Sequence, residues 1–182
     1  MARLAERHSV DVTILVPDYW ENVWSNNLVV AWQPQIEENG RFRVKPLPVT
    51  HVSEGTQYLF KSVDAGLRQL QPDVIYVVQE ELSRVLWQML IYRKMWTSQA
   101  KLLFFSWNNL RILPVTWKQR LVWWSVRRCT DLAIAGNSEV KQVIQRAGYQ
   151  KSVIVQTEIG IDETVFKPNP VIRARKRTEL QL

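Results

Sequence analysis

Short apolar runs alternate along this chain with longer segments of helical spacing, and this alternation restricts its possible folds more than any other feature. Residues 74–78 (VIYVV) and 101–105 (KLLFF) are two such runs, and each is followed by a segment long enough to form a helix. Strands that are apolar on both faces and alternate with helices are typical of a parallel sheet covered on both sides. The sequence therefore predicts an α/β fold, a Rossmann-like three-layer α/β/α sandwich with a mostly parallel sheet.

The same pattern predicts the order of the elements. Strands are expected at 10–16, 42–47, 74–78, 101–105, 132–135 and 153–155, and helices at 55–70, 81–96, 114–128 and 137–147. A chain of 182 residues has room for one domain of this kind and not for two. We expect that domain to span 1–167.

Charge, hydropathy and cysteine content indicate which partners and which cellular compartment to expect. Much of the net charge of +7 lies in residues 167–182, which hold five cationic residues and one glutamate. A short basic run near a terminus is typical of a solvated helix end or linker, and neither zinc-finger spacing nor an RNA-binding aromatic strand accompanies it. No apolar run approaches the roughly 18 residues that span a bilayer, and no secretory leader is recognisable. Because Cys129 is the single cysteine, no disulfide can form within the chain, and we expect a cytoplasmic protein. Because the basic residues lie mainly in a terminal segment, we do not expect the protein to bind nucleic acid.

The most specific motif lies between Asp131 and Pro168. DLAIAGNSEVKQVIQRAGY (131–149) reads as a buried strand, a polar turn and an amphipathic helix, and VIVQTEIGIDETVFKP (153–168) as a second strand followed by an Ile-Gly-Ile-Asp turn. This block resembles the end of the N-terminal, acceptor-side domain of family 4 glycosyltransferases of the GT-B fold. On that resemblance, 168–182 form an interdomain linker and the start of a donor-binding domain, and the chain is truncated at both ends.

The resemblance also implies a missing first strand and glycine loop. Residues 10–16 are then expected either to pair directly with 74–78 or to leave a gap that another segment fills, because unpaired strand edges and apolar side chains would otherwise be exposed.

The activity that the resemblance implies is retaining sugar transfer from a nucleotide diphosphate donor to the hydroxyl of a carbohydrate or lipid-linked acceptor. Such enzymes generally hold no metal, and the nucleotide sugar is a substrate, so no cofactor is expected. In the family, the residues that grip the donor lie in the C-terminal domain, so this chain is expected to position the acceptor and to be inactive alone. A non-catalytic α/β interaction domain that needs a separately encoded partner remains the alternative.

Polar residues that follow the predicted strands are the candidate acceptor-binding residues, because ligands bind beyond the carboxyl ends of strands in such sheets. Trp107, Asn108 and Asn109 follow 101–105 and offer an indole and two amides, which suit sugar hydroxyls. The segment resembles a family signature in which many members have a histidine at the position of Asn108; an amide orients a ligand but cannot exchange a proton. A turn-capping role for the asparagines is the alternative.

Glu80 and Glu81 follow the strand at 74–78 and should lie at the same edge. A carboxylate there would accept hydrogen bonds from an acceptor hydroxyl, as the resemblance also suggests. The alternative is that these glutamates lie in the first helical turn, where the helix dipole favours acidic side chains.

Five further residues complete the predicted site. Asn137 and Ser138 follow the strand at 132–135, where a helix N-cap is the first interpretation and an interdomain-cleft role the second. The resemblance places Gly160 and Asp162 at the interdomain cleft. It also implies an aromatic residue near the acceptor, and Trp20 is the candidate for that position.

Arg120, Trp123, Trp124 and Arg127 share one face of the helix at 114–128. Arginine beside tryptophan is typical of a surface that contacts anionic lipid. The alternative is that most of these tryptophans pack on the sheet.

Overall fold

The described residues of this computed structural model are 5, 9–24, 28–32, 37–50, 58–110, 116–156 and 167–180. In chain order they form the strands β1 (Val12–Pro17), β2 (Trp20–Trp24), β3 (Leu28–Trp32), β4 (Glu37–Asn39), β5 (Phe42–Leu47), β6 (Val49–Thr50), β7 (Leu59–Phe60), β8 (Val74–Val77), β9 (Lys101–Ser106), β10 (Leu132–Ala135) and β11 (Val153–Val155). The helices are α1 (Val63–Leu70), α2 (Arg84–Trp96), α3 (Trp117–Cys129), α4 (Ser138–Arg146) and α5 (Pro170–Glu179).

The main sheet has four parallel strands in the order β11-β10-β9-β8. Helices α2, α3 and α4 each connect one strand to its spatial neighbour, which is the arrangement that the alternating sequence pattern predicts. Strands β10 and β11 have the predicted bounds, and β9 is one residue longer than predicted, ending at Ser106. The prediction of a Rossmann-like α/β fold with a mostly parallel sheet is confirmed.

The hydrophobic core lies between one face of this sheet and the inner sides of the helices. The sheet contributes alternate residues, because successive side chains on a strand point to opposite faces. The buried residues include Ile75, Val77, Leu102, Phe104, Ala133 and Val153 from the strands, with Leu86, Met89, Val126, Val140 and Ile144 from the helices. On the opposite face Phe105 and Ile134 are also buried. Each large buried side chain stabilises the fold by roughly 1.5–3 kcal/mol before entropy is counted.

The N-terminal part forms separate, smaller sheets. Strand β1 is parallel to β5, and β4 is antiparallel to β5, while β2 with β3 and β6 with β7 form antiparallel pairs. Within the described residues β1 pairs with β5 and not with β8, so the direct pairing of 10–16 with 74–78 is not found. Leu15 of β1 nevertheless packs against the core of the main sheet.

The helix predicted over 55–70 is shorter than expected. Helix α1 begins at Val63, and Leu59, which the spacing predicts on the apolar face of the helix, lies in β7 opposite Thr50. Leucine spacing alone does not distinguish a helix from a short strand followed by a helix.

The helix predicted from residue 81 also begins later, at Arg84. The Ser83 side chain accepts a hydrogen bond from the backbone N–H of Leu86 at 3.2 Å, which makes Ser83 the N-cap. Glu80 and Glu81 therefore lie in the turn before α2, so the alternative interpretation, that they occupy its first turn, is wrong.

Candidate functional site at the carboxyl edge of the sheet

The turns that follow β8, β9 and β10 meet at one edge of the main sheet. Because the three strands are parallel neighbours, Glu80 after β8, Trp107 after β9 and Gly136 after β10 follow strand ends that lie side by side. This is the edge at which sheets of this class bind ligands.

Two carboxyl groups contact one hydroxyl group there. Ser106 Oγ lies 2.7 Å from Glu80 Oε2 and 2.8 Å from Glu81 Oε2. Ser106 and Glu81 are almost completely buried, at 0% and 1% exposure, whereas Glu80 is half-buried. The pair therefore has an inner carboxyl group, Glu81, and an outer one, Glu80.

The loop after β9 holds these carboxyl groups in place. The Asn108 side-chain Nδ2 donates to Glu81 Oε1 at 2.7 Å, and the backbone N–H of Trp107 donates to Glu80 Oε1 at 3.2 Å. The Asn108 backbone N–H donates to Ser106 Oγ at 3.1 Å, and its Oδ1 accepts from Leu110 N at 3.0 Å. Asn108 thus shapes the loop and anchors Glu81 at the same time.

The outer carboxyl group titrates differently from a solvated glutamate. Burial raises the pKa of Glu80 above its ordinary value of 4.5; the Ser106 hydroxyl opposes this shift, and the neighbouring Glu81 adds to it. A carboxyl group with a raised pKa beside a second carboxyl group is a common arrangement where proton exchange or hydroxyl recognition takes place.

The indole of Trp107 covers the adjacent turn and is 40% exposed. It contacts Phe105 edge to face, with ring centroids 5.6 Å apart. A Cβ added at Gly136 would lie 2.5 Å from the indole, so the ring occupies space that only a glycine leaves free. A partly exposed, fixed aromatic ring beside carboxyl and amide groups is suited to contact the apolar face of a sugar.

A buried acceptor near the cluster has no partner. Gln79 donates from Nε2 to the Tyr58 hydroxyl at 3.4 Å, but Gln79 Oε1 is buried and makes no hydrogen bond among the described residues. An acceptor left in this state costs free energy, on the order of 1–3 kcal/mol, until a donor reaches it.

The structure gives Asn137 a helix-capping role. Asn137 Oδ1 accepts from the backbone N–H of Val140 at 2.9 Å, which confirms that it is the N-cap of α4. Ser138 is the exposed first residue of that helix. Of the other predicted site residues, Asn109 is exposed in the loop after β9 and Trp20 opens β2. Gly160 and Asp162 lie outside the described residues.

Helix α3 differs from its prediction in the face that it exposes. Trp123 is 4% exposed and donates from Nε1 to Ala147 O at 2.9 Å, and Arg127 is half-buried over the Trp123 ring. Trp123 therefore belongs to the core and not to a surface shared with Arg120 and Trp124. The expectation that most tryptophans of this helix pack on the sheet is also wrong, because the structure exposes Trp117 and Trp124.

A concave region lies at the opposite, amino edge of the sheet. It is a shallow depression of about 400 Å³ between the ends of α1 and α2, lined by Gln71, Pro72, Asp73, Trp96, Thr97, Ser98, Gln99 and Ala100. The indole Nε1 of Trp96 and the hydroxyl of Thr97 are buried there without partners. It has a single carboxylate, Asp73, and lies away from the strand ends where ligands bind, so the carboxyl edge is the stronger candidate.

Neither a metal cluster nor a membrane span is found in the described part of the chain. No group of three or more His, Cys, Asp or Glu side chains there is placed to hold a metal ion. No helix among the same residues is long and apolar enough to cross a bilayer.

Two residues of the site were not predicted from the sequence. Ser106 reads as the last residue of an apolar strand, but the two-residue alternation of β9 places it on the side of Leu102 and Phe104, facing the buried carboxyl group. Gly136 reads as an ordinary turn residue, and its contact with Trp107 requires two strands to be neighbours. The alternation could have identified Ser106; nothing local could have identified the contact at Gly136.

The chain matches no protein-family model, no curated protein and no solved structure with which it was compared.

Proposed function

We propose that this chain is the acceptor-binding part of a glycosyltransferase that uses a nucleotide diphosphate sugar, and that the acceptor hydroxyl binds at Glu80 beside Trp107. The observation that carries the proposal is the cluster of Glu80, Ser106, Glu81 and Asn108 at the carboxyl edge of the sheet, next to an exposed indole. The resemblance of residues 131–168 to family 4 enzymes supplies the reaction class.

The chemistry of the edge favours a hydroxyl-bearing ligand over an anionic one. The Glu81 carboxylate would repel a phosphate or carboxylate, whereas the half-buried Glu80 offers Oε1 as an acceptor for a hydroxyl. No Lys or Arg of the described residues forms an ion pair with either glutamate. The donor diphosphate would therefore be bound by other groups, as it is in the family.

Saturation-transfer NMR with a panel of simple glycosides tests the proposal. We expect at least one glycoside to bind the wild-type protein and W107A to abolish that binding, because the indole provides the apolar contact. W117A is the matched control, since Trp117 is 70% exposed at the start of α3 and does not belong to the cluster of Glu80, Ser106, Glu81 and Asn108. Absence of binding across the panel, or equal loss in both variants, would contradict the proposal.

A separate observation supports contact with a membrane surface. Helices α2 and α3 pack against each other, and each exposes an apolar stripe. The exposed residues are Trp87, Ile91 and Met95 on α2 and Trp117, Leu121 and Trp124 on α3. Solvent-facing helix surfaces are ordinarily polar, so these two exposed apolar stripes, here together called the outer helix face, require an explanation.

The charges around the outer helix face favour an anionic bilayer. Neither helix contains an acidic residue, and the exposed cations are Arg84, Lys94, Lys118, Arg120 and Arg128. Each cation near an anionic bilayer contributes about 1 kcal/mol, and tryptophan favours the interfacial region. This arrangement would place the acceptor site near a lipid-linked acceptor.

Co-sedimentation with vesicles tests this second proposal. The wild-type protein should sediment with phosphatidylglycerol vesicles and not with phosphatidylcholine vesicles, and W117S/L121S/W124S should remain in solution. V171S/I172S, which removes exposed apolar residues from α5, is the control. Equal vesicle binding by both variants would contradict a membrane role. Wild-type dimers without vesicles, lost in the triple variant, would instead favour the alternative, a protein–protein interaction domain.

A further inference from the structure

The contacts around Ser106 contain more acceptors than hydrogens. Its hydroxyl group carries one hydrogen, yet Glu80 Oε2 and Glu81 Oε2 both lie within 2.8 Å of Oγ. If both glutamates were ionised, one carboxylate oxygen would face a lone pair of the serine at contact distance. A carboxylate oxygen held against a lone pair without a donor is unfavourable. One further proton on a carboxyl group removes the conflict.

The surroundings of each carboxyl group indicate where that proton resides. Glu81 accepts hydrogen bonds from Ser106 and from Asn108 Nδ2, and two donors stabilise a buried carboxylate. Glu80 Oε1 accepts only the longer bond from Trp107 N, and burial together with the charge of Glu81 raises its pKa. The proton therefore lies on Glu80 Oε2 and is donated to Ser106, whose own hydrogen is donated to Glu81.

We propose that Glu80, Ser106 and Glu81 form a proton relay, through which the buried Glu81 carboxylate accepts the proton of a sugar hydroxyl bound at Glu80. Glu81 is 1% exposed and cannot touch a ligand, so Glu80 is the group that contacts it and Glu81 acts through Ser106. The role in sugar transfer rests on the proposed function; the order of hydrogen bonds within the relay does not.

The proton movements balance. The acceptor hydroxyl transfers its proton to Glu80 Oε1, Glu80 Oε2 transfers its proton to Ser106 Oγ, and Ser106 transfers its original proton to Glu81 Oε2. Glu80 and Ser106 end neutral, as they began, and Glu81 becomes neutral. The acceptor oxygen bonds to the anomeric carbon of the nucleotide sugar as the bond from that carbon to the diphosphate breaks, and the diphosphate leaves with the electron pair.

The relay replaces a function that Asn108 cannot supply. Its amide holds Glu81 and shapes the loop, but it does not exchange protons at neutral pH. The base, Glu81, is connected to Glu80 through the hydroxyl of Ser106. The neutral Glu80 therefore faces the ligand, while the negative charge of Glu81 remains buried and hydrogen-bonded.

Two amide groups report separately on the two carboxyl groups. The Trp107 backbone N–H senses Glu80, and the Asn108 side-chain amide senses Glu81. In a ¹H–¹⁵N NMR titration of the 182-residue protein, the relay predicts that the Asn108 side-chain signal follows the same step as the Trp107 signal, the step of Glu80, whose pKa burial raises above 4.5. An Asn108 side-chain signal that does not follow the Glu80 step would overturn the proposal.

Three variants test the connection through Ser106. In E80Q the Trp107 signal should lose its step, and in S106A the Asn108 side-chain signal should no longer follow the step of the Trp107 signal. E139Q, which alters an exposed glutamate at the start of α4, should leave the shared step unchanged. A folded S106A protein with the shared step intact would overturn the relay; if S106A does not fold, an unaltered Trp107 step in E80Q would do so. The titration needs no sugar, so failure of glycoside binding and failure of the relay are separate results.

Discussion

Glu80 and Glu81 are consecutive residues with opposite surroundings, and this difference gives the site its chemistry. The inner side chain is buried with two donors, and the outer one is half-buried with a raised pKa. One residue of separation in a turn is enough to aim one carboxyl group inward and the other outward.

The raised pKa of Glu80 makes stability depend on pH. A carboxyl group whose pKa is higher in the folded protein favours folding in its protonated form, so its contribution is complete below 4.5 and is lost as the pH rises through the folded pKa. We expect the unfolding free energy of the wild-type protein to fall relative to that of E80Q as the pH increases above 4.5. Urea denaturation of both proteins over a pH series measures this, and a pH-independent difference would contradict it.

Gly136 is expected to be essential for the position of Trp107. In G136A the new methyl group would lie 2.5 Å from the indole, so the ring must move away or the fold must lose roughly 1–3 kcal/mol from overpacking. We expect the Trp107 indole signal to shift and glycoside binding to be lost. The control is G66A in α1, where a Cβ meets nothing within 4 Å and a gain of about 0.5–1 kcal/mol is expected. Unchanged glycoside binding by G136A would show that the ring position is unimportant.

At the scale of elements, the strands and their ends were predictable and the connections less so. Apolar runs identified β8 to β11 closely, because short apolar runs bounded by turn residues are typical of the strands of a parallel sheet. The carboxyl ends of those runs were sufficient to select Glu80, Trp107 and Asn108 as neighbours at one edge. The predicted starts of α1 and α2 were wrong, since periodicity continues through a capping residue such as Ser83 without marking it.

Asn137 provides a test of capping against ligand binding at the start of α4. N137A should lower the unfolding free energy by about 1 kcal/mol, because the Val140 N–H loses its acceptor. S138A, one residue further on at an exposed position, should change it by less than about 0.5 kcal/mol. Thermal denaturation of both variants gives the comparison; equal effects would show that Asn137 is not the cap on which the helix depends.

At the scale of the whole molecule, we expect the location of charge to matter more for membrane contact than the net charge does. The sequence draws attention to the basic tail, which the structure forms into the exposed helix α5, but the cations that border exposed tryptophans lie on α2 and α3. Trp123 is buried and Trp124 is exposed because of the way α3 packs on its neighbours. That packing could not be predicted from the sequence pattern.

Two charge-reversed proteins with equal net charge test this point. K118E/R120E alters the outer helix face, and R173E/R177E alters α5, and all four changed residues are exposed. We expect only the first variant to lose binding to phosphatidylglycerol vesicles, and wild-type binding to weaken as salt is added. Equal loss in both variants would mean that net charge alone controls membrane attraction.

The central claim is that a sugar hydroxyl binds at Glu80, and binding of monodeoxy glycosides by calorimetry tests it most directly. For the glycoside that binds best, removal of one particular hydroxyl should weaken binding to the wild-type protein and have no effect on binding to E80A, because the partner of that hydroxyl is already absent. If every monodeoxy glycoside loses the same affinity for E80A as for the wild-type protein, no hydroxyl binds at Glu80 and the proposed acceptor site is wrong.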